Sequence, residues 1–410
     1  MPLELERNRL IAMLAKRRLD RALAKDPFAP PASTPLDDAI ALRSATCDKC
    51  DGTIGPGHPC PYKKCTACRR RNYVARPTAI CPAMNPHWLP LHTHAHEPLQ
   101  LAWVISSRNE GAAIAETVAS LKAGLLDKNI TLSIYVYDDA SDDGSCSTLQ
   151  AHVVRNDVPR GVGANFNHGA LAALTHGADV VGFSDAHMRF PAGTVAHIAR
   201  EAVRKPAIVT AYSRTKELTS TTVMRACRLI PGKAIPVAVE WHEADKGKGD
   251  YYQPTEAPLG SCYAMSRETI DILSAPSSLL WDSCIGLWGF LCEAMGMKAR
   301  LMGIPVVVSR KWYSRHAYKP NGTNPIGDSR KEQVRNAIYA LASLLHPETF
   351  DRHCAAWAMR QTIISPEETS GLIWQARQDA SQPWDIEAEE MLFEEIRLRG
   401  IIEGAPTEGG

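Results

Sequence analysis

The chain has 410 residues, 45% hydrophobic and 22% charged, with a formal net charge of +1, enough for one large core domain with additions. No apolar run is long enough to span a bilayer, and the opening Met1-Pro2-Leu3-Glu4-Leu5-Glu6-Arg7 lacks the basic-then-apolar order of a signal peptide. The expectation is therefore a soluble, cytoplasmic chain.

The charge is unevenly spread. Residues 1–96 hold 15 Lys and Arg against 8 Asp and Glu, while the remainder holds 31 against 37, so a basic front end precedes a mildly acidic body. Residues 1–26 read as a basic amphipathic helix, with Leu10, Ile11, Leu14, Leu19 and Leu23 set among Arg7, Arg9, Lys16, Arg17, Arg18, Arg21 and Lys25. It suits either docking on the body or contact with a phosphate backbone. Residues 27–46 begin Pro- and Ala-rich and read as a linker.

Six of the 12 cysteines fall within residues 47–97, a clustering that in a cytoplasmic setting points to metal rather than disulfides. Cys47-x2-Cys50 and Cys65-x2-Cys68, with fourteen residues between, have the spacing of a structural Zn²⁺ site whose thiolates supply folding energy to a segment too small for a core. Cys60 and Cys81 follow the two knuckles and leave a binuclear arrangement open, and Cys60-x4-Cys65-x2-Cys68 also imitates an iron–sulfur pattern. Lys63, Lys64, Arg69, Arg70, Arg71 and Arg76, with Tyr62 and Tyr73 between them, form a face suited to nucleic acid; the alternative is a solvated knuckle that braces the body.

From residue 98 strands and helices alternate, the mark of an α/β sheet. Leu101 to Ser106 is a buried strand, Ser107-Arg108-Asn109-Glu110-Gly111 its loop, and Ala112 to Ala123 a helix. Leu132 to Tyr137 is the next strand, ending in Asp138-Asp139-Ala140-Ser141-Asp142-Asp143-Gly144, where a carboxylate is well placed for a nucleotide. Val153 to Asn156 starts a third unit, followed by Arg160-Gly161-Val162-Gly163-Ala164-Asn165, whose glycines let backbone N–H groups near a helix start approach phosphate or base. The apolar run Ala178 to Phe183 then ends in Ser184-Asp185-Ala186-His187. Alternation along an extended chain turns Asp185 and His187 to one side, where both could grip a Mn²⁺ or Mg²⁺ ion.

In that order and spacing, these four segments resemble the nucleotide-sugar half of a GT-A glycosyltransferase of the family 2 type. The D-x-H triplet is similar to that of the polypeptide N-acetylgalactosaminyltransferases. The resemblance implies a GT-A, Rossmann-like mixed sheet flanked by helices over residues 98–325, a nucleotide-sugar half at 98–190 and an acceptor half at 191–325. It places Ser107, Arg108, Asn109, Glu110, Asp138, Asp139, Arg160, Gly161, Asn165, Ser184, Asp185 and Ala186 around a nucleotide diphosphate sugar, with UDP the expected nucleotide. Gly260 to Glu268 resembles the acceptor-facing strand and turn, and Trp288-Gly289, a helix ending near Gly303, the strand Ile304 to Ser309 and then His316 have the order of the W-G-x-E helix and the third metal ligand. The implied metal ligands are Asp185, His187 and His316.

One departure concerns the base. Where the family carries an acid just after W-G-x, this chain has Leu291 and Cys292, with Glu293 next, and one residue turns a helix by about 100°. Glu293, with Asp282 in reserve, is the expected general base of an inverting displacement; if neither reaches the acceptor, the D-x-H likeness favours a retaining enzyme without a dedicated base. Between the halves, Gly232 to Pro258 is a polar insertion expected to act as a mobile lid, its Trp241, Tyr251 and Tyr252, together with Trp288, offering faces to the acceptor. Residues 326–402 read as C-terminal helices, with Ser365-Pro366-Glu367-Glu368 a capping box, and 403–410 as a disordered tail.

The basic front end and basic knuckle argue for DNA as the acceptor. The overall architecture resembles phage enzymes that glycosylate 5-hydroxymethylcytosine, which must work on a base held out of the stack. Two other readings stand beside it: transfer to a polysaccharide, lipid-linked or peptide acceptor with the knuckle as a brace, and a non-catalytic nucleic-acid-binding protein on a degenerate transferase fold.

Overall fold

The computed structural model describes residues 97–204, 206–215, 225–232, 235–243, 252–275, 280–281, 289–317, 329–379, 384 and 386–402. The basic helix, the linker, the six zinc-ligand candidates Cys47, Cys50, Cys60, Cys65, Cys68 and Cys81, and also Tyr251, Asp282, Trp288 and the tail, lie outside them. The described residues belong to a unit spanning Leu91–Gly410.

Strand β1 (Leu99–Ser107) is buried along almost its whole length, as a continuous apolar run requires of a strand covered on both faces. Helix α1 (Ala112–Gly124), β2 (Ile130–Asp138), β3 (His152–Arg155), α2 (Val162–Thr175) and β4 (Val180–Ser184) follow. The strands β1, β2, β3 and β4 are parallel, with β2 and β3 on one side of β1 and β4 on the other. That reversal makes a switch point, and the crevice beyond the carboxyl ends of such strands is where open α/β sheets take ligands. Register brings Ser107 beside Asp138 and Ile105 beside Ser184 at that edge.

Close packing of α2 on β1 depends on Gly169, where a Cβ would stand 2.2 Å from Val104 Cγ1. Around it Phe166, Phe183, Tyr263 and Trp281 form a ring cluster, Phe183 lying 5.2, 5.3 and 5.4 Å from the other three, within the range of favourable aromatic pairs.

The second half begins with β5 (Met188–Arg189), α3 (Thr194–Arg204) and β6 (Ile208–Thr215), then β7 (Arg225–Pro231), β8 (Val237–Glu243), β9 (Tyr252–Thr255), β10 (Cys262–Ser266), α4 (Arg267–Ser274), α5 (Leu291–Leu301) and β11 (Val306–His316). Strand β10 runs antiparallel between β4 and β6, and β11 pairs with β6, β5 and β9, completing a nine-stranded mixed sheet among the described residues.

Two expectations change here. The strand expected to stop at Ser309 continues to His316 through an irregularity between Val308 and Tyr313, where the Ser309 hydroxyl accepts the N–H groups of Lys311 (3.2 Å) and Trp312 (2.7 Å). The insertion expected as a lid contains ordered strand: β8 pairs with β7 in a separate ribbon that sets Trp241 opposite Cys227. Of that insertion, residues 233–234 and 244–251 lie outside the described ones.

The C-terminal helices α6 (Ser329–Leu344), α7 (Pro347–Phe350), α8 (Ala356–Arg360), α9 (Pro366–Asp379) and α10 (Ile386–Ile402) follow. Ser365 caps α9, its hydroxyl accepting the Glu368 N–H at 3.1 Å. The fully buried Glu389 carboxylate accepts from the His346 backbone N–H (3.0 Å) and the Trp384 indole (2.6 Å), closing the helical region on itself.

Candidate active site

Three elements deliver the central side chains. Asp185 and His187 follow β4, and His316 ends β11. Pairing of β5 with β11 sets His316 opposite Met188, one residue beyond His187. The turn between β4 and β5 is stapled to α1 by Thr117, whose hydroxyl lies 2.8 Å from the Ala186 carbonyl and accepts the Met188 N–H at 3.0 Å. The Ala317 N–H, donating to the His187 carbonyl at 3.0 Å, ties the turn to the far strand.

The outcome is convergence. His187 Nε2 is 3.2 Å from His316 Nε2, and His316 Nε2 is 3.1 Å from Asp185 Oδ2. The three residues form a group whose ligand atoms lie within 4.8 Å of one another. Atoms bound at right angles to one divalent ion at about 2.1 Å stand roughly 3 Å apart, so these separations fit a shared octahedral ion. Two imidazoles and one carboxylate favour Mn²⁺ over the more oxygen-selective Mg²⁺. Side-chain exposure falls from 35% at Asp185 to 16% at His187 and 11% at His316, so the group opens outward at its carboxylate.

The expected nucleotide residues divide. Ser107, Arg108, Asp138, Arg160 and Ser184 lie at or near the carboxyl edge. Among the described residues Arg108 Nε is buried without a hydrogen-bond partner, a donor poised for an incoming anion. Asp139 is 4% exposed, with Oδ1 accepting from Arg160 N (2.8 Å) and Asn156 Nδ2 (2.8 Å) and Oδ2 from Gly161 N (3.0 Å). It holds the Arg160–Gly161 turn in place, with Gly161 at φ 88°, a conformation that favours glycine. Asn165 is fully buried and bridges Asn156 Nδ2 to Ser106 Oγ. Asp138 is also occupied, by Arg155 at 2.5 Å and by the Ser141 N–H at 2.9 Å. These carboxylates and amides hold the loops at the carboxyl edge of the sheet. Asn156, Arg155 and Thr117 carry no local motif, and only their long-range partners reveal them. Ser184 is fully buried and accepts the Trp103 indole N–H at 3.0 Å.

Glu293 sits in the first turn of α5, behind Gly289 and Phe290, both at positive φ. Burial raises its pKa above the ordinary range, an effect partly offset by the nearby backbone N–H groups of Glu293 itself and of Val239 in the β7–β8 ribbon. Cys292, not Glu293, is the first-turn residue that feels the Asp185 carboxylate; its thiol is held up chiefly by burial and packs where a Cβ on Gly260 would stand, 2.9 Å away. Tyr252 is not brought to this edge. It is 6% exposed, stacks on His197 of α3, and pairs with Ser309, seven residues before His316.

Residues 102–270 match the model of glycosyl transferase family 2. GalNAc-T7, solved with UDP, GalNAc and Mn²⁺, superposes with a TM-score of 0.54 at 14% identity, covering 75% of this chain and 58% of its own. This chain thus spans little more than half the length of that relative. The mannosyltransferase PcManGT from Pyrobaculum calidifontis, in complex with GDP-Man and Mn²⁺, gives 0.41 at 16% identity over 74% of this chain and 81% of its own. S. aureus TarS with UDP-GlcNAc gives 0.38 at 13% identity over 68% and 72%. The fold likeness rests on the first of these alone. No curated protein matches the sequence.

Proposed function

We propose that the chain transfers a sugar from a nucleotide diphosphate, UDP first among them, to a hydroxyl acceptor, since residues 102–270 match the glycosyl transferase family 2 model and the fold is GT-A-like. The observation that carries this reading is the meeting of Asp185, His187 and His316 at the switch-point edge. Those three would hold Mn²⁺ or Mg²⁺, which when bound neutralises charge on the departing diphosphate.

The chain's own groups do the rest. Arg108, whose Nε is buried without a hydrogen-bond partner among the described residues, would donate to the diphosphate, and the Asp139-held turn at Arg160–Gly161 would frame the nucleoside. In the reaction the acceptor oxygen bonds to the anomeric carbon as the bond from that carbon to the phosphate oxygen breaks, the bonding pair leaving with the diphosphate. Because Glu293 stands one residue, about 100° of helix, beyond the place of the family's acid, the reading favoured is transfer without a dedicated protein base, the acceptor proton passing to the departing phosphate oxygen. Asp282 lies outside the described residues, as do Tyr251 and Trp288.

For the acceptor, the basic front end and the paired cysteine knuckles, read as a structural Zn²⁺ module, support DNA carrying 5-hydroxymethylcytosine. A phage-encoded enzyme acting in the host cytoplasm fits that substrate. Among the described residues no helix is long and apolar enough to cross a membrane. The test is label transfer from a panel of nucleotide sugars onto duplexes containing cytosine or 5-hydroxymethylcytosine. Label in the modified duplex alone supports this acceptor; donor turnover with no label in either duplex discards it and leaves a saccharide, lipid-linked or peptide acceptor.

A further inference from the structure

Glu110 reads as a nucleotide contact by its place in the Ser107 to Gly111 loop, yet its side chain is 8% exposed and lies against His187, with Oε2 3.0 Å from Nδ1. We propose that Glu110 is a positioning residue of the metal site: it accepts the His187 Nδ1–H and thereby fixes which nitrogen of that ring is free to ligate. The inference rests on the metal reading above.

An imidazole that donates from one nitrogen presents the lone pair of the other, and a carboxylate behind it sets the ring's tautomer, orientation and basicity. With Nδ1–H directed to Glu110, His187 Nε2 carries the lone pair, and Nε2 is the atom facing His316 Nε2 at 3.2 Å. The ring is therefore gripped on one side and presented on the other.

Glu110 is itself held by contacts on both sides of it. The Asn109 N–H donates to Ser141 Oγ (3.0 Å), Asn109 Oδ1 accepts the Asp142 N–H (2.9 Å), and the Gly111 N–H donates to Asp143 Oδ2 (2.9 Å). These bonds hold Asn109 at φ 52° and Gly111 at φ 54°, positive values open to glycine and, among other residues, most readily to asparagine. The acidic run after β2 thus serves the metal site at one remove, by clamping the loop that carries Glu110.

The test uses the full chain, wild type, Glu110→Gln and Glu110→Ala. Mn²⁺ affinity is measured by calorimetry, and the His187 tautomer by long-range proton–nitrogen spectra of the EDTA-treated protein at about pH 8, where histidine is neutral. The expected result is a wild-type His187 protonated on Nδ1, a loss of about 10–100-fold in Mn²⁺ affinity in Glu110→Ala, and a smaller loss in Glu110→Gln, whose amide oxygen still accepts the hydrogen. Should Glu110→Ala not fold, the wild-type tautomer and Glu110→Gln decide. A His187 protonated on Nε2 in the wild type, or wild-type affinity in both variants, overturns the assignment and leaves the transferase reading standing. A wild type that binds no Mn²⁺ overturns the metal reading itself, and this inference with it.

Discussion

The Trp103 indole occupies the space a Cβ on Gly182 would need: the ring's Cε3 lies 2.3 Å from that position. The same indole donates Nε1–H to Ser184, one residue before Asp185. A glycine in mid-strand thus lets β1 lock the end of β4 from which the metal group departs. Gly182→Ala forces the ring or the strand to move, and overpacking of this kind costs about 1–3 kcal/mol. Thermal denaturation should show the loss; an unchanged melting temperature would mean that the indole can move aside.

Asp139 predicts a different kind of defect. Its carboxylate takes three hydrogen bonds, two of them from the backbone of the Arg160–Gly161 turn. Bonds to a charged group contribute about 1.5–3 kcal/mol each, and their removal leaves buried donors unmet. Asp139→Ala should lower stability and raise the KM for the nucleotide sugar by loosening the turn. Lower stability with an unaltered KM would show that the turn does not frame the nucleoside.

Glu293 separates the base-free reading from its rival. If its carboxylate takes no proton from the acceptor, Glu293→Gln, which keeps the side chain's size and shape, should hold kcat within a few-fold. A general base would lose about 10²–10⁴-fold, and a loss of that size would return Glu293 to the chemistry.

The same residue sets a pH dependence. Burial holds the Glu293 pKa above its unfolded value, so the native state binds the proton more tightly. This contribution is fully present below the ordinary carboxylate range and is lost as pH rises through the raised folded value. The melting temperature of Glu293→Gln relative to wild type should therefore increase between about pH 4 and pH 7. A pH-independent difference would show that the folded value is not raised.

Much of the nucleotide half was legible because β1 and β4 are apolar runs ending in short polar segments, and Asp185 and His187 lie within one triplet. His316 became visible only through family resemblance. The bulge after Ser309 interrupts the strand pattern that leads to it, since Arg310, Lys311 and Trp312 look like the end of a strand. Tyr252 misled because an aromatic beside a polar loop looks ligand-facing, whereas cross-strand pairing with β11 draws it under α3. Glu110 lies against His187 as well as in the loop that the sequence singles out. Its contact with His187 spans 77 residues, and no local pattern carries information about a ring nitrogen that far along the chain.

The most direct test of the account is donor turnover. Release of nucleoside diphosphate from the preferred UDP-sugar is followed with Mn²⁺ and with EDTA, for wild type, Asp185→Ala and His316→Ala. The account predicts turnover by the wild type with Mn²⁺ only, and turnover reduced to the EDTA level in both variants. Turnover that persists in EDTA, or variants as active as wild type, would contradict a metal-dependent transferase built on Asp185, His187 and His316.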